Sequence, residues 1–283
     1  MKPWHLKGVT KMNITVFTDE LKLDVYESIT HIKEWGCTQV DFRKLINGKA
    51  IEDQSEAELV QLKQYLDDNN LTVACLESSL GKTHLPNDEG KAVEMKKLDG
   101  LIRASEILNC KLVRAFHYYQ PKPVDRGALA TNRDLFNTVV DQFQPLAEKA
   151  QNAGLELAFE NCGCHTYEIK KVIDEYYKRG INNCGMAWDM FHSFEEKPKD
   201  LRSFVLSNVP YTKIIHVKAK RCIDLGDETS IPYLEIFKMV HAAGYRDAVS
   251  IETHNHDEAL TDLEASNRLY RAVKAALVEG EIL

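Results

Sequence analysis

The chain has 283 residues, and a content of 44% hydrophobic and 28% charged residues is ordinary for a soluble globular protein large enough to bury a full core. The formal net charge of -7 disfavours nucleic acid as a partner, because phosphate backbones repel an acidic surface that carries no local basic patch. No apolar run approaches the ~18–20 residues that span a bilayer, so we expect no membrane insertion.

The hydrophobic pattern alternates along the chain between short runs of period 2 and longer stretches of period 3.6, which predict strands and helices respectively. The predicted strands cover residues 13–17, 38–42, 71–76, 111–116, 155–160, 184–189, 213–218 and 248–252. The helices that follow them in turn are predicted near residues 24–35, 54–69, 88–109, 131–153, 165–178, 199–207, 231–243 and 261–278.

Eight strand–helix units in regular alternation predict an α/β protein, a (β/α)8 TIM barrel with eight parallel strands. We expect a single domain over residues 1–283, with the barrel proper at about 13–278, because no Pro-, Gly- or Ser-rich linker interrupts the series. A doubly wound open sheet is the alternative. It usually has a glycine-rich phosphate loop after its first strand, and "TVFTDEL" contains no glycine.

The seven cysteines are irregularly spaced and include no CxxC pair, which predicts reduced thiols. The N-terminal residues "MKPWHLKGVTKM" lack the apolar stretch of a secretory signal. From both features we expect a cytoplasmic protein.

A carboxylate ends the apolar run of the fifth strand, "LELAFE", and the alternation of side chains along a strand decides where it points. Leu155, Leu157 and Phe159 form a bulky set suited to the helix layer. Glu160 belongs to the other set, together with the small Ala158, and is therefore predicted to face the barrel interior.

The same alternation on the next three strands places Asp189, His216 and Glu252 on the inward face, each near the C-terminal end of its strand. The opposite sets should be buried between the barrel and the helices. Across the four strands, these outward residues include Leu157, Phe159, Trp188, Ile215, Val217 and Ile251.

Four neighbouring strands thus deliver Glu160, Asp189, His216 and Glu252 to the C-terminal mouth, where the active sites of barrels lie. Grouped acids repel one another, and a divalent cation removes that repulsion. Three carboxylates and one imidazole favour one ion of Mn²⁺, Co²⁺ or Mg²⁺, and they admit Zn²⁺. For any one residue, a hydrogen-bonded polar group at a strand end is the alternative, which the shared register of all four weakens.

These strand ends resemble a known family. Glu160, Asp189 with His192 three residues later ("WDMFH"), His216 ("IIHVK") and Glu252 ("SIETH") resemble the xylose isomerase-like TIM barrels. That superfamily includes sugar isomerases and epimerases of the tagatose and psicose 3-epimerase kind, inosose and 3-dehydroshikimate dehydratases, and the endonuclease IV nucleases.

The resemblance spans roughly residues 13–277 and implies a metal-dependent sugar isomerase or epimerase that transfers a proton next to a carbonyl. The metal would act as a Lewis acid and template while an enediolate forms. Glu160 and Glu252 are the predicted acid/base pair, on opposite sides of the reacting carbon. The expected substrate is a small sugar, polyol or sugar phosphate, and a homo-oligomer is compatible with the sequence.

Two predicted substrate contacts rest on the resemblance. In the epimerases, the histidine that matches His192 contacts substrate beside the metal, and Arg221 corresponds approximately to a substrate-binding arginine. The alternative for His192 is a structural role, in which a histidine at the start of a helix hydrogen-bonds to the backbone. The run His254–His256 lies beyond the last strand, and we interpret it as loop surface.

Three further residues are predicted to bind substrate from their strand positions. Lys218 shares the inward face of His216, where a cation can hold a substrate oxygen, carboxylate or phosphate; an exposed lysine at a strand end is the alternative. Arg114 lies in the apolar "LVRAF", where an ion pair with Glu160 or Asp41 is the alternative. His117 ends the fourth strand, and a structural contact is its alternative.

Three other functions remain open at this point. A dehydratase would use the same metal and base but expel a hydroxyl. An endonuclease IV-like nuclease needs further histidines after strand seven, where "RCIDLGDETS" offers Asp224 and Asp227 but no histidine. A non-catalytic sugar-binding protein has no need for four converging ionisable groups, although a fold alone proves no activity.

Overall fold

A computed structural model describes residues 11–44, 48–220 and 231–283. Within these residues, eight parallel strands form one sheet in the order β1-β8-β7-β6-β5-β4-β3-β2. The strands are β1 (Asn13–Val16), β2 (Gln39–Phe42), β3 (Thr72–Leu80), β4 (Leu112–Ala115), β5 (Glu156–Glu160), β6 (Cys184–Asp189), β7 (Thr212–Val217) and β8 (Ala248–Ile251). A parallel bridge between Phe17 and Asp41 joins the two ends of the sheet, so the predicted TIM barrel is confirmed.

Helices connect the strands on the outside of the barrel. In the described residues they are α1 (Val25–Glu34), α2 (Glu56–Asp68), α3 (Asp88–Leu108), α4 (Ala128–Thr131), α5 (Arg133–Asn152), α6 (Thr166–Lys178), α7 (Met190–Phe194), α8 (Leu201–Asn208), α9 (Tyr233–Ala242) and α10 (Asp262–Glu279). The short α4 and α7 were not predicted, because four or five residues are too few to show a helical period. No described helix is long and apolar enough to cross a membrane.

Two separate apolar cores confirm the assignment of strand faces. The larger core, between barrel and helices, contains all six predicted outward residues, each with 0% exposure. The smaller core lies inside the barrel and consists of Cys75, Ala158, Ala187, Ile214 and Ala248. Most of these inner side chains are small. The longer polar side chains that follow them on the same strand faces therefore lie nearer the C-terminal mouth.

The third strand is longer than the sequence predicts. The apolar run indicates an end at Leu76, but β3 continues to Leu80, and its pairing with β4 shifts register between Leu76 and Leu80. Cys75 lies in the inner core, so Glu77 two residues later also points inward. This extension brings a further carboxylate to the mouth of the barrel.

Candidate active site

A cavity of about 440 Å³ opens at the C-terminal mouth of the barrel. Its wall includes the carboxylates Glu77, Glu160 and Glu252 and the cations Arg114 and Lys218. All five side chains are at least 94% buried, so their charges interact through little water. Charge pairs in such a setting are screened much less than pairs on a surface.

Three of the four predicted metal ligands come together in this cavity. Potential ligand atoms of Glu160, His216 and Glu252 all lie within 4.8 Å of one another. The parallel register of the strands brings the residues of this group close together. Asp189 on β6 pairs with His216 on β7, and His216 pairs with Ser250 on β8, which lies two residues before Glu252. Asp189 is buried beside them but belongs to no such group among the described residues.

Asp189 uses both carboxylate oxygens on protein partners. Its Oδ1 accepts a hydrogen bond from the backbone N–H of His192 at 3.1 Å and so caps the first turn of α7. Its Oδ2 accepts a hydrogen bond from Lys218 Nζ. Burial alone would raise the pKa of Asp189, but the adjacent ammonium outweighs it and the pKa is lowered.

His216 has one occupied and one unoccupied ring nitrogen. Nε2 lies 3.2 Å from Glu77 Oε1 in a hydrogen bond, whereas Nδ1 has no hydrogen-bond partner among the described residues and lies 3.8 Å from Glu252 Oε2. Glu252 Oε2 likewise has no hydrogen bond to a described residue, although Lys218 Nζ lies 3.2 Å from it as an ion pair. Burial would lower the pKa of His216, but Glu77, Glu252 and Glu160 together raise it to about 9. A histidine held by a carboxylate on one nitrogen presents its other nitrogen in a fixed direction.

Arg114 links three carboxylates in the centre of the mouth. Its Nη1 lies 2.9 Å from Glu160 and 3.5 Å from Glu252, and its Nε lies 3.3 Å from Glu77. It also donates to the backbone carbonyls of Glu77 and Ser78. The ion pair with Glu160, which the sequence analysis gave as the alternative, is therefore present. Substrate binding by Arg114 stays a prediction, and the guanidinium already uses most of its N–H groups on protein partners.

A second arginine, which the sequence analysis missed, approaches Glu252 from the side of β2. Arg43 contacts Glu252 at 2.9 Å and Asp19 at 2.8 Å, and it also pairs with Glu20. Burial would raise the pKa of Glu252, but Lys218, His254, Arg114 and His216 hold it well below its usual value. The ion pairs of Glu252 with Arg43 and Lys218 likewise favour its carboxylate form.

Strand alternation, had it been applied to every strand, would have identified these missed residues. Arg43, directly after β2, is two residues from Asp41 and therefore shares its face. Glu77 is likewise two residues after the inward Cys75 on β3, so it also faces inward. The reading of His254 as loop surface was wrong in part. Its side chain is 40% exposed, but it lines the cavity, and its Nε2 lies 3.2 Å from Glu252 Oε1.

The predicted substrate-binding residues divide into three groups. Lys218 and His192 line the cavity, and His192 Nε2 lies 3.7 Å from Asp189 Oδ2. His117 instead packs outside the barrel against Phe159, 3.7 Å from Cys164 Sγ, and burial lowers its pKa to about 4. Arg221 lies outside the described residues.

The position of His117 follows from strand alternation. Along β4 it continues the outward set of Val113 and Ala115, opposite the inward Arg114, so both predicted contacts could not face the same side. Among the described residues, His117 is not part of the cavity wall. Its placement supports the structural alternative.

The family of the chain follows from its sequence as a whole. A model of the family described as xylose isomerase-like TIM barrel matches residues 29–273. The chain belongs to the xylose isomerase-like TIM barrels. No curated protein matches it by sequence.

Solved structures of other members of this fold superpose over nearly the whole chain. An L-ribulose 3-epimerase matches with a TM-score of 0.71 and 18% identity, covering 95% of this chain and 97% of that one. A D-psicose 3-epimerase in the presence of D-fructose gives 0.67 and 16%, covering 95% and 98%. The IolI protein with a bound zinc atom gives 0.63 and 15%, covering 96% and 99%. At these identities the likeness shows a shared fold.

The donor set in the mouth of this xylose isomerase-like barrel fits a divalent cation. Two buried atoms that could bind a metal, His216 Nδ1 and Glu252 Oε2, lack hydrogen bonds within the described part of the chain and lie near the carboxylate of Glu160. Two other groups of potential ligands share Glu160 or Glu252, but each includes a partly exposed histidine, so the fully buried group is the better candidate.

The charges around this group support the same fit. The four buried carboxylates Glu77, Glu160, Asp189 and Glu252 contact the buried cations Arg114 and Lys218, and Glu252 also contacts Arg43. A histidine that binds a metal is neutral, and with a neutral His216 the four carboxylates exceed Arg114 and Lys218 by two charges. Arg43 does not cancel the excess, because it is shared with Asp19 and Glu20. A divalent ion would balance this excess.

Proposed function

We propose that this protein is a metal-dependent sugar isomerase or epimerase that abstracts and returns a proton next to a carbonyl, through an enediolate. The observation that carries the proposal is the meeting of Glu160 and Glu252, from β5 and β8, at one cavity beside the unpartnered Nδ1 of His216. The named activities of the superposed epimerases support the same class of reaction.

Glu160, His216 and Glu252 would hold the ion, with Asp189 as the proposed fourth ligand. The ion would supply Lewis acidity and orient the carbonyl and hydroxyl oxygens of a sugar. Mn²⁺, Co²⁺ and Mg²⁺ suit this mostly oxygen donor set, and Zn²⁺ is admitted by the imidazole. The zinc in the superposed IolI structure supports a metal at this fold without deciding the ion in this chain.

The residues of the chain divide the remaining work. The proposed role of the Glu160 and Glu252 carboxylates is to accept a proton from one face of the reacting carbon and return it. Arg114 contacts both, which orients them toward the cavity. Glu77 holds His216 Nε2, which fixes the direction of the ring. His192 lies at the cavity wall, where it can contact a substrate hydroxyl.

Proton abstraction creates an intermediate that exchanges with solvent, so we expect deuterium to enter the carbon-bound position during turnover. The measurement is NMR of ketoses, inososes and their phosphates incubated with protein and Mn²⁺ or Co²⁺ in deuterated water. Binding of a panel member with neither exchange nor conversion would favour a sugar-binding protein. Loss of water with an unsaturated or deoxy product would favour the dehydratase.

We also expect one divalent ion per chain, bound through the proposed ligands. Glu160→Gln removes a carboxylate charge and His216→Ala removes the only imidazole of the buried group, so each should lower the Mn²⁺ affinity by at least about tenfold, or 1.4 kcal/mol. Elemental analysis and calorimetric titration measure the stoichiometry and affinity. His241→Ala, on the outer helix α9, is the control. Unchanged binding in both site variants would contradict this metal site.

A further inference from the structure

A lysine occupies the side of the cavity where a fourth metal ligand is expected. Lys218 Nζ hydrogen-bonds to Asp189 Oδ2 and lies 3.2 Å from Glu252 Oε2. Lys218 follows His216 by two residues, directly after the end of β7, so its side chain continues the inward face and its ammonium contacts the same group of carboxylates. The side chain is only 6% exposed and cannot turn toward bulk water without leaving both partners.

We propose that Lys218 is the protein's own counter-cation for the metal site and competes with the divalent ion for Asp189 and Glu252. This inference rests on the proposed function, because it presupposes a metal at Glu160, His216 and Glu252. It goes beyond that function by assigning Lys218 a role other than substrate binding: it limits the affinity of the site and decides whether Asp189 is available as a ligand.

The shared oxygen gives the competition its physical basis. Glu252 Oε2 faces the ammonium at 3.2 Å on one side and the unpartnered His216 Nδ1 at 3.8 Å on the other. A metal ion held by Glu252 and His216 would lie close to the Lys218 ammonium. Like charges close together in a poorly solvated site repel strongly. Carboxylate oxygens of both Asp189 and Glu252 lie within ion-pair distance of Lys218 Nζ, which favours the charged form of the side chain.

The same contacts would lower the cost of losing the ion. Buried carboxylates without a cation are costly, and Lys218 neutralises part of the charge of Asp189 and Glu252. Entry of the ion then requires the ammonium to withdraw from Glu252, and coordination by Asp189 requires it to withdraw from Asp189 as well. Lys218 would therefore keep the metal exchangeable and the site partly compensated when it is metal-free.

The experiment compares metal affinity in chelator-treated protein by calorimetric titration with MnCl₂ at one fixed pH. We expect Lys218→Met and Lys218→Gln to bind Mn²⁺ at least about tenfold more tightly than the wild type, the size of a close charge–charge coupling. Lys220→Met is the matched control. Lys220 lines the same cavity but is exposed over the Phe191 ring, so its loss should change the affinity by less than about threefold.

Thermal unfolding gives a second readout that does not depend on activity. Without metal, Lys218→Met should unfold at a lower temperature than the wild type, and Mn²⁺ should raise its Tm by more, because tighter binding to the native state stabilises it more. If Lys218→Met does not fold without metal, Lys218→Gln decides the matter, since its amide can still donate to Asp189.

The two proposals fail in different ways. Equal or weaker Mn²⁺ binding in both Lys218 variants, with normal binding by the wild type, overturns the role of Lys218 and leaves the metal site standing. A tenfold gain in Lys220→Met as well would also overturn it, because the effect would then be one of general charge. Absence of Mn²⁺, Co²⁺ and Zn²⁺ binding by every form overturns both this inference and the metal dependence of the proposed function.

Discussion

Replacing Glu160 or Glu252 with Gln is expected to lower turnover by ~10²–10⁴ while sugar binding survives in part. That range is the usual contribution of one positioned acid or base, and Gln keeps the shape of the side chain but cannot accept the proton. The two carboxylates lie within 3.5 Å of the same Arg114 nitrogen, so each variant leaves the other carboxylate and the arginine in place. The measurement is kcat for the substrate identified by deuterium exchange, with binding measured separately.

Both residues are also proposed ligands, so each variant must be assayed at a metal concentration that saturates it. Glu258→Gln is the matched control, because it makes the same chemical change at an exposed position in the loop after β8 and should leave kcat unchanged. Turnover that falls by less than about threefold in both site variants, at full metal occupancy, would remove the acid/base pair from the proposed mechanism.

Truncation of Phe159 to Ala should lower the free energy of unfolding by ~3–5 kcal/mol, the cost of removing a fully buried aromatic side chain. Phe159 has 0% exposure and packs between barrel and helices against the rings of Phe143, Tyr176 and His117. Its centroid lies 5.4 Å from that of Phe143, a usual spacing for an aromatic pair. Denaturant unfolding of the two proteins measures the difference.

Val124→Ala is the control for this substitution, since Val124 is 87% exposed and its truncation should change the stability by no more than ~0.5 kcal/mol. A loss in Phe159→Ala that is no larger than in this control would mean that the helix-facing side of β5 has been assigned to the wrong residues. The adjacent Glu160 would then also point away from the mouth.

The missed contacts of the site show where local pattern stops being informative. Arg43 and Glu252 are separated by 209 residues, and Glu77 and His216 by 139. Alternation along each strand gives the face of each of these residues, but it carries no information on which cation meets which carboxylate. That choice depends on side-chain length and on the distance across the barrel.

The sequence by itself determined the barrel, its strand faces and the four strand-end residues Glu160, Asp189, His216 and Glu252, because each follows from a period of two or 3.6 within a short segment. Only the tertiary structure decided that Lys218 pairs with Asp189, and that Asp189 lies outside the ligand group that Glu160, His216 and Glu252 form among the described residues. Ion pairing between neighbouring strands depends on which atoms come within contact distance after the barrel closes, and side chains on one face compete for the same carboxylates.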